Sequence, residues 1–137
     1  GPRAGEAFAR DYPARGLAVG DLNNDGYPDV IVANSGEAPV VLQHRGNRNN
    51  WVGLHLKGPA TGALIRWSAG GVTRSRLKTA GGSYLSAHDP RELLGLGAAA
   101  KLDWLEVRWP SPIGKVDRFQ NVAARRYYSL VPGGTLR

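Results

Sequence analysis

Residues 104–110 read Trp104-Leu105-Glu106-Val107-Arg108-Trp109-Pro110. Leu105, Val107 and Trp109 alternate with Trp104, Glu106 and Arg108, and a period of two turns one set toward a core and the other toward water. An amphipathic helix would instead repeat its apolar positions every third or fourth residue. The same alternation sets Val52, Leu54 and Leu56 against Trp51, His55 and Lys57, and groups Ala63, Ile65 and Trp67. Pro110 and Pro112 end the first stretch, because proline has no N–H to give a β-ladder.

Working outward from that strand, further β-branched or aromatic runs cover residues 16–19, 29–33, 40–44, 51–57, 63–68, 72–78, 83–87, 116–119 and 127–131. Gly, Pro, Asn and Asp divide them, at roughly the 8–12-residue spacing of all-β domains. Ser68-Ala69-Gly70-Gly71-Val72 reads as a hairpin turn, since a Gly pair accepts positive φ. Only residues 91–94 and 98–101 offer a turn or so of helix. The expected class is all-β: a β-sandwich over 50–132 with an N-terminal, propeller-blade-like hairpin repeat over 16–45 packed on it, after an irregular arm at 1–15. The polar stretch 45–50 marks the break.

The chain has 137 residues and neither Cys nor Met. That length supports a real core, and the missing cysteines exclude disulfides, thiolate zinc sites and thiol catalysis. With no initiator Met, a processed product or a piece of a longer protein is expected. No apolar run approaches the ~20 residues of a membrane helix. Lys and Arg number 18 against 11 Asp and Glu, a net +7 that invites a guess of nucleic acid. The charge is uneven, however. Residues 1–37 hold three bases against six acids (−3), while 38–137 hold fifteen against five (+10).

The acids concentrate in Asp21-Leu22-Asn23-Asn24-Asp25-Gly26-Tyr27-Pro28-Asp29. Oxygen side chains fall at loop positions 1, 3, 5 and 9, and Gly26 permits the sharp turn between them. Ca²⁺ seeks about six to eight such oxygens; Asp21, Asn23, Asp25 and Asp29 supply side chains and Tyr27 a backbone carbonyl. Mg²⁺ suits the loop less, since it demands a compact octahedron. An EF-hand is excluded: position 12 is Val32 rather than Glu, and the flanks Leu17-Ala18-Val19 and Val30-Ile31-Val32 are strands. A polar Asx-rich turn without metal is the competing reading. The donor spacing, the glycine and the strand flanks favour calcium, as a structural staple rather than a regulatory site.

The segment Gly20-Asp21-Leu22-Asn23-Asn24-Asp25-Gly26-Tyr27-Pro28-Asp29-Val30 resembles an FG-GAP/VCBS-type repeat. Asn50-Trp51-Val52-Gly53-Leu54-His55-Leu56-Lys57-Gly58, Gly82-Ser83-Tyr84-Leu85-Ser86, Leu94-Gly95-Leu96-Gly97 and Leu105-Glu106-Val107-Arg108-Trp109-Pro110 follow in the order of an ASPIC/UnbV domain of the cartilage acidic protein-like kind. The resemblance implies calcium ligands at Asp21, Asn23, Asp25, Tyr27 and Asp29, and secreted, periplasmic or extracellular chains in which several propeller repeats precede the ASPIC domain. One repeat cannot close a propeller, so the rest of a longer chain is an expected partner. The sequence departs from the family pattern at Gly58-Pro59-Ala60-Thr61-Gly62-Ala63-Leu64-Ile65-Arg66 and at Trp109-Pro110-Ser111-Pro112. No catalytic residue is implied.

The resulting expectation is a non-catalytic, calcium-binding extracellular module for cell adhesion or scaffolding, with a protein or glycan ligand. A second reading is an acidic polysaccharide or other polyanion on Arg66, Arg74, Arg76 and Lys78, the last three alternating onto one face. An accessory enzyme domain is a third. Ser86, His88 and Asp89 stand close in sequence, but without a nucleophile elbow. His44, His55 and His88 lack metal-ligand spacing. Nucleic acid would want exposed aromatics at strand centres. Trp67 alternates with core residues, while Trp51 and Trp104 fall opposite their aliphatic faces, where they would form an exposed ledge or be covered by the N-terminal hairpins, the second being the expectation.

Overall fold

A computed structural model describes residues 8–9 and 11–137. The described chain is all-β. Its strands are β1 (Ala14–Gly20), β2 (Asp29–Asn34), β3 (Val40–Leu42), β4 (Asn50–Leu56), β5 (Leu64–Ala69), β6 (Val72–Leu77), β7 (Gly82–Ser83), β8 (Ser86–Ala87), β9 (Glu92–Gly97), β10 (Lys101–Arg108), β11 (Val116–Ala123) and β12 (Tyr127–Leu130). The described residues form two compact units, one running up to Arg45 and taking in 81–89, the other made of 46–80 and 90–137. Most of the arm expected at 1–15 lies outside the described residues, and its last two residues, Ala14 and Arg15, already belong to β1.

The first unit is an antiparallel meander β1-β2-β3. Val19 pairs with Val30 and Gly20 with Asp29, so the loop 21–28 joins two strands in register. The short hairpin β7–β8, far along the chain, belongs to this unit. Asp89 donates its N–H to the Val19 carbonyl (2.9 Å), and the Val19 N–H donates to His88 Nδ1 (3.2 Å). An edge strand bares unpaired N–H and C=O groups that invite aggregation. Residues 88–89 occupy that row at Val19.

The second unit is a sandwich of a four-stranded sheet, β11-β10-β5-β6, and a three-stranded sheet, β12-β4-β9. Their inner faces share one core, with Val52, Leu54, Ile65, Leu94, Leu102, Leu105, Val107 and Leu130 almost wholly buried. Each such side chain contributes roughly 1.5–3 kcal/mol. β12 runs parallel to β4, and Ser129 and Arg137 exchange backbone hydrogen bonds, so the chain stays engaged past residue 132. Gly70 and Gly71, with φ of 57° and 78°, form the two-residue turn between paired Ala69 and Val72. Asp103 fastens this turn by accepting from Ser68 Oγ (3.0 Å) and the Gly71 N–H (3.2 Å).

Two local expectations are corrected. Residues 92–97 are strand β9 rather than helix, because pairing with β4 outweighs the helix propensity of Arg-Glu-Leu-Leu. Residues 83–87 turn back on themselves as β7 and β8. Trp67 lies in the core and donates its indole N–H to the Gly95 carbonyl (3.2 Å). Trp51, on the face of β4 opposite the core aliphatics, is buried against Tyr127, with ring centroids 5.1 Å apart. Trp104 is half-buried.

Candidate metal centre and basic face

The loop 21–28 carries its acids on both rims. Asp21 follows the last residue of β1 and Asp29 opens β2, and both are buried, at 3% and 1% exposure. A buried carboxylate must find donors or a cation. Asp21 accepts the N–H of Asp25 on Oδ1 (3.0 Å) and that of Gly26 on Oδ2 (2.7 Å). Asp29 accepts the Leu22 N–H on Oδ2 (2.9 Å) and the His44 N–H on Oδ1 (2.8 Å). Asp25 receives the Tyr27 N–H (2.9 Å) and the Asn23 amide (2.8 Å), while Asn23 Oδ1 faces the Asp25 N–H (3.3 Å). Positive φ at Asn24 (59°) and Gly26 (87°) turns these amides inward. The Tyr27 ring stacks on His44, with centroids 5.0 Å apart and planes 12° from parallel.

The donor set is all oxygen, as a hard cation requires, and a carboxylate oxygen holding one hydrogen bond keeps a second lone-pair site. By chemistry the residues fit Ca²⁺. Their arrangement is closed by the loop's own amides, and among the described residues no three His, Cys, Asp or Glu side chains are gathered around one point.

The basic residues singled out from sequence do not form one surface. Arg74 and Arg76 pair with Trp67 and Ile65 and share the inward side of edge strand β6, while Arg66 lies on the outer side, paired with Ser75. Arg76 and Lys78 reach Glu92 on the other sheet, at 3.3 and 3.0 Å. These pairs close the sandwich edge and engage two of the stripe's three cations with one carboxylate.

Sequence reading missed a different cluster. On the outer face of β10, Glu106 is buried among three guanidinium groups. Arg108 Nε lies 2.7 Å from Oε1, Arg118 Nε 2.8 Å from Oε2, and Arg66 Nη1 3.8 Å from Oε1. The hydrogen bonds from Arg108 and then Arg118 hold the Glu106 carboxyl down at about 2, against the opposing effect of burial. Alternation placed Glu106 and Arg108 on one face, but the strand register that brings Arg66 and Arg118 beside them is not visible in one strand's pattern. Of the residues considered for catalysis, Ser86 donates to the Tyr84 carbonyl (3.1 Å) within the β7–β8 hairpin, and His88 accepts from Val19 on β1.

A calcium-loop-like hairpin repeat followed by a two-sheet sandwich defines a two-part β module. The chain belongs to the ASPIC and UnbV family, whose model matches residues 53–137, and an FG-GAP repeat matches residues 14–49. No curated protein matches it. FG-GAP repeats are typical of extracellular proteins, and among the described residues no helix is long and apolar enough to cross a membrane.

Proposed function

We propose that the chain is a non-catalytic, secreted or periplasmic interaction module of the adhesion or scaffolding kind, whose repeat is stapled by one Ca²⁺. Asp21, Asn23, Asp25 and Asp29 hold the ion with side-chain oxygens and Tyr27 with its carbonyl. The observation that carries this reading is the pair of buried carboxylates, Asp21 and Asp29, on the two rims of one loop. Like charges in such a place repel strongly at reduced dielectric; backbone amides offset part of that cost, and a divalent cation offsets far more. The ion supplies no reaction step. It ties β1 to β2 and fixes the loop. A protein or glycan ligand then meets a rigid module.

Calcium titration of the intact chain tests the reading. A ligand that binds only the folded state stabilises by about 2.7 kcal/mol at a hundred times its Kd, which raises Tm by several degrees. The expected result is a higher Tm in millimolar Ca²⁺ than in EDTA, lost in Asp25→Ala. Equal melting in both buffers removes the staple.

A further inference from the structure

The outer face of the four-stranded sheet carries more positive charge than its one carboxylate, Glu106, can neutralise. Strand register sets Arg66, Glu106, Arg118 and Ser75 in one row across the sheet. The next row holds Trp104 with Ser68, Thr73 and Gln120, and the row on the other side holds Arg108 with Leu64, Leu77 and Val116. Three cations surround one carboxylate, so the cluster keeps an excess of two positive charges.

How that excess is held matters more than its size. Arg108 and Arg118 each spend the Nε edge of the guanidinium on Glu106. Their side chains remain 49% and 69% exposed, and among the described residues neither makes another hydrogen bond. The Nη edges are therefore free to donate. Arg66 stays 42% exposed, and its guanidinium carbon lies 6.0 Å from the Trp104 ring centre. A free surface arginine loses much rotamer freedom on binding. Here Glu106, its own side chain only 8% exposed, has already fixed the two forks. A guanidinium fork matches the paired oxygens of a carboxylate, sulfate or phosphate.

We infer that this face, centred on Arg66, Arg108 and Arg118 and oriented by Glu106, binds an acidic polysaccharide. The forks take its carboxylate or sulfate groups. Thr73, Ser75 and Gln120, all exposed, offer hydroxyls and an amide to the sugar oxygens. Trp104, Leu77 and Val116 lend apolar surface to the C–H faces of the rings. Neighbouring strands are about 4.8 Å apart, so the face presents its donors at intervals across its width, as an extended chain of repeating anions requires. The site lies within residues 64–120 and does not depend on calcium.

Binding of the intact chain, in EDTA, to immobilised dextran sulfate, polygalacturonate, neutral dextran and polyglutamate tests the assignment. Sulfate and carboxylate arms separate the two anion sources. Binding to at least one acidic polysaccharide that weakens with salt is expected, and Arg108→Gln with Arg118→Gln should lower affinity about tenfold or more, as losing paired interfacial charges does. Arg74→Gln, an equal change of charge per site on the other side of β6, should leave affinity within about twofold if general attraction is minor. Glu106→Gln raises the net charge by one yet should weaken binding, because the forks lose their anchor. Should that variant melt early, Arg108→Lys with Arg118→Lys, which keeps the charge and removes the forks, should weaken binding likewise. Tighter binding by Glu106→Gln, an equal loss in Arg74→Gln, or retention on neutral dextran would overturn the site. Polyglutamate held more tightly than both acidic polysaccharides would overturn the glycan in favour of an acidic protein.

Discussion

The backbone N–H of Leu22 meets Oδ2 of Asp29 at 2.9 Å, so the first turn of the loop is tied to the first residue of the strand that leaves it. The other oxygen of the same carboxylate takes the His44 N–H at 2.8 Å, just beyond β3. One buried side chain thereby ties the loop to the chain beyond the third strand of the meander. This is also how a calcium-type sequence can close a loop with amides as well as with an ion.

Asp29→Asn is consequently far from neutral. An amide offers one acceptor oxygen where the carboxylate offers two, and its NH₂ would face a donor. Leaving a buried N–H unsatisfied costs about 1–3 kcal/mol. Urea denaturation in EDTA should show that loss, with or without any metal effect. An unchanged midpoint would mean that the two amides find water or another acceptor.

Glu106 gives the fold a defined acid sensitivity. Arg108 and Arg118 hold its carboxyl at about 2, below its ordinary value of 4.5. A carboxyl lowered on folding contributes stability that is fully present above its unfolded pKa and is lost as pH falls toward the folded one. The stability difference between the protein and Glu106→Gln should be flat above about pH 5 and shrink between about 4.5 and 2. Its size should fall with salt, since all three arginines are partly exposed. Denaturation midpoints across about pH 2–7, the range in which carboxylates titrate, read this directly.

Gly53 is required by its neighbour. A Cβ built there would lie 2.1 Å from Tyr127 Cδ1, because the ring lies across β4 beside Trp51 and under Arg91, whose guanidinium carbon is 4.3 Å from the ring centre. Gly53→Ala must push Tyr127 away and uncover Trp51. Overpacking of this kind costs about 1–3 kcal/mol, and tryptophan fluorescence should shift to the red as a buried indole meets water.

These relationships separate what was legible in the sequence from what was not. The core of β10 and the Gly70–Gly71 turn follow from local rules, alternation and positive φ, that need no partner strand. The calcium-type loop was legible as a motif, but the capture of the His44 amide by Asp29 depends on where β3 ends. Trp51 is buried because β12 runs parallel to β4 and lays Tyr127 over it, a non-local choice that no window around Trp51 contains. Arg74 and Arg76 share a face as alternation demanded, yet Glu92 claims Arg76 from the other sheet. Arg66 joins Arg118 only through the register of three strands. Pattern fixed which side a residue takes; pairing decided whom it meets there.

The hairpin β7–β8 supplies the sharpest check on such long-range pairing. The imidazole of His88 packs so closely on Gly82, whose φ is 136°, that an added Cβ would fall 2.3 Å from the ring. With its ring held there, Nδ1 accepts from Val19 while the Asp89 N–H serves the Val19 carbonyl. His88→Ala should therefore deprotect the Val19 amide at once and the Asp89 amide to a lesser degree, by hydrogen exchange. The amides of residues 30–32, paired within the meander on both sides, should keep their protection. Gly82→Ala should give the same pattern without touching His88, because the ring can no longer sit where Nδ1 reaches β1. If exchange at Val19 is unmoved in both variants, the edge of β1 is held by something other than this hairpin.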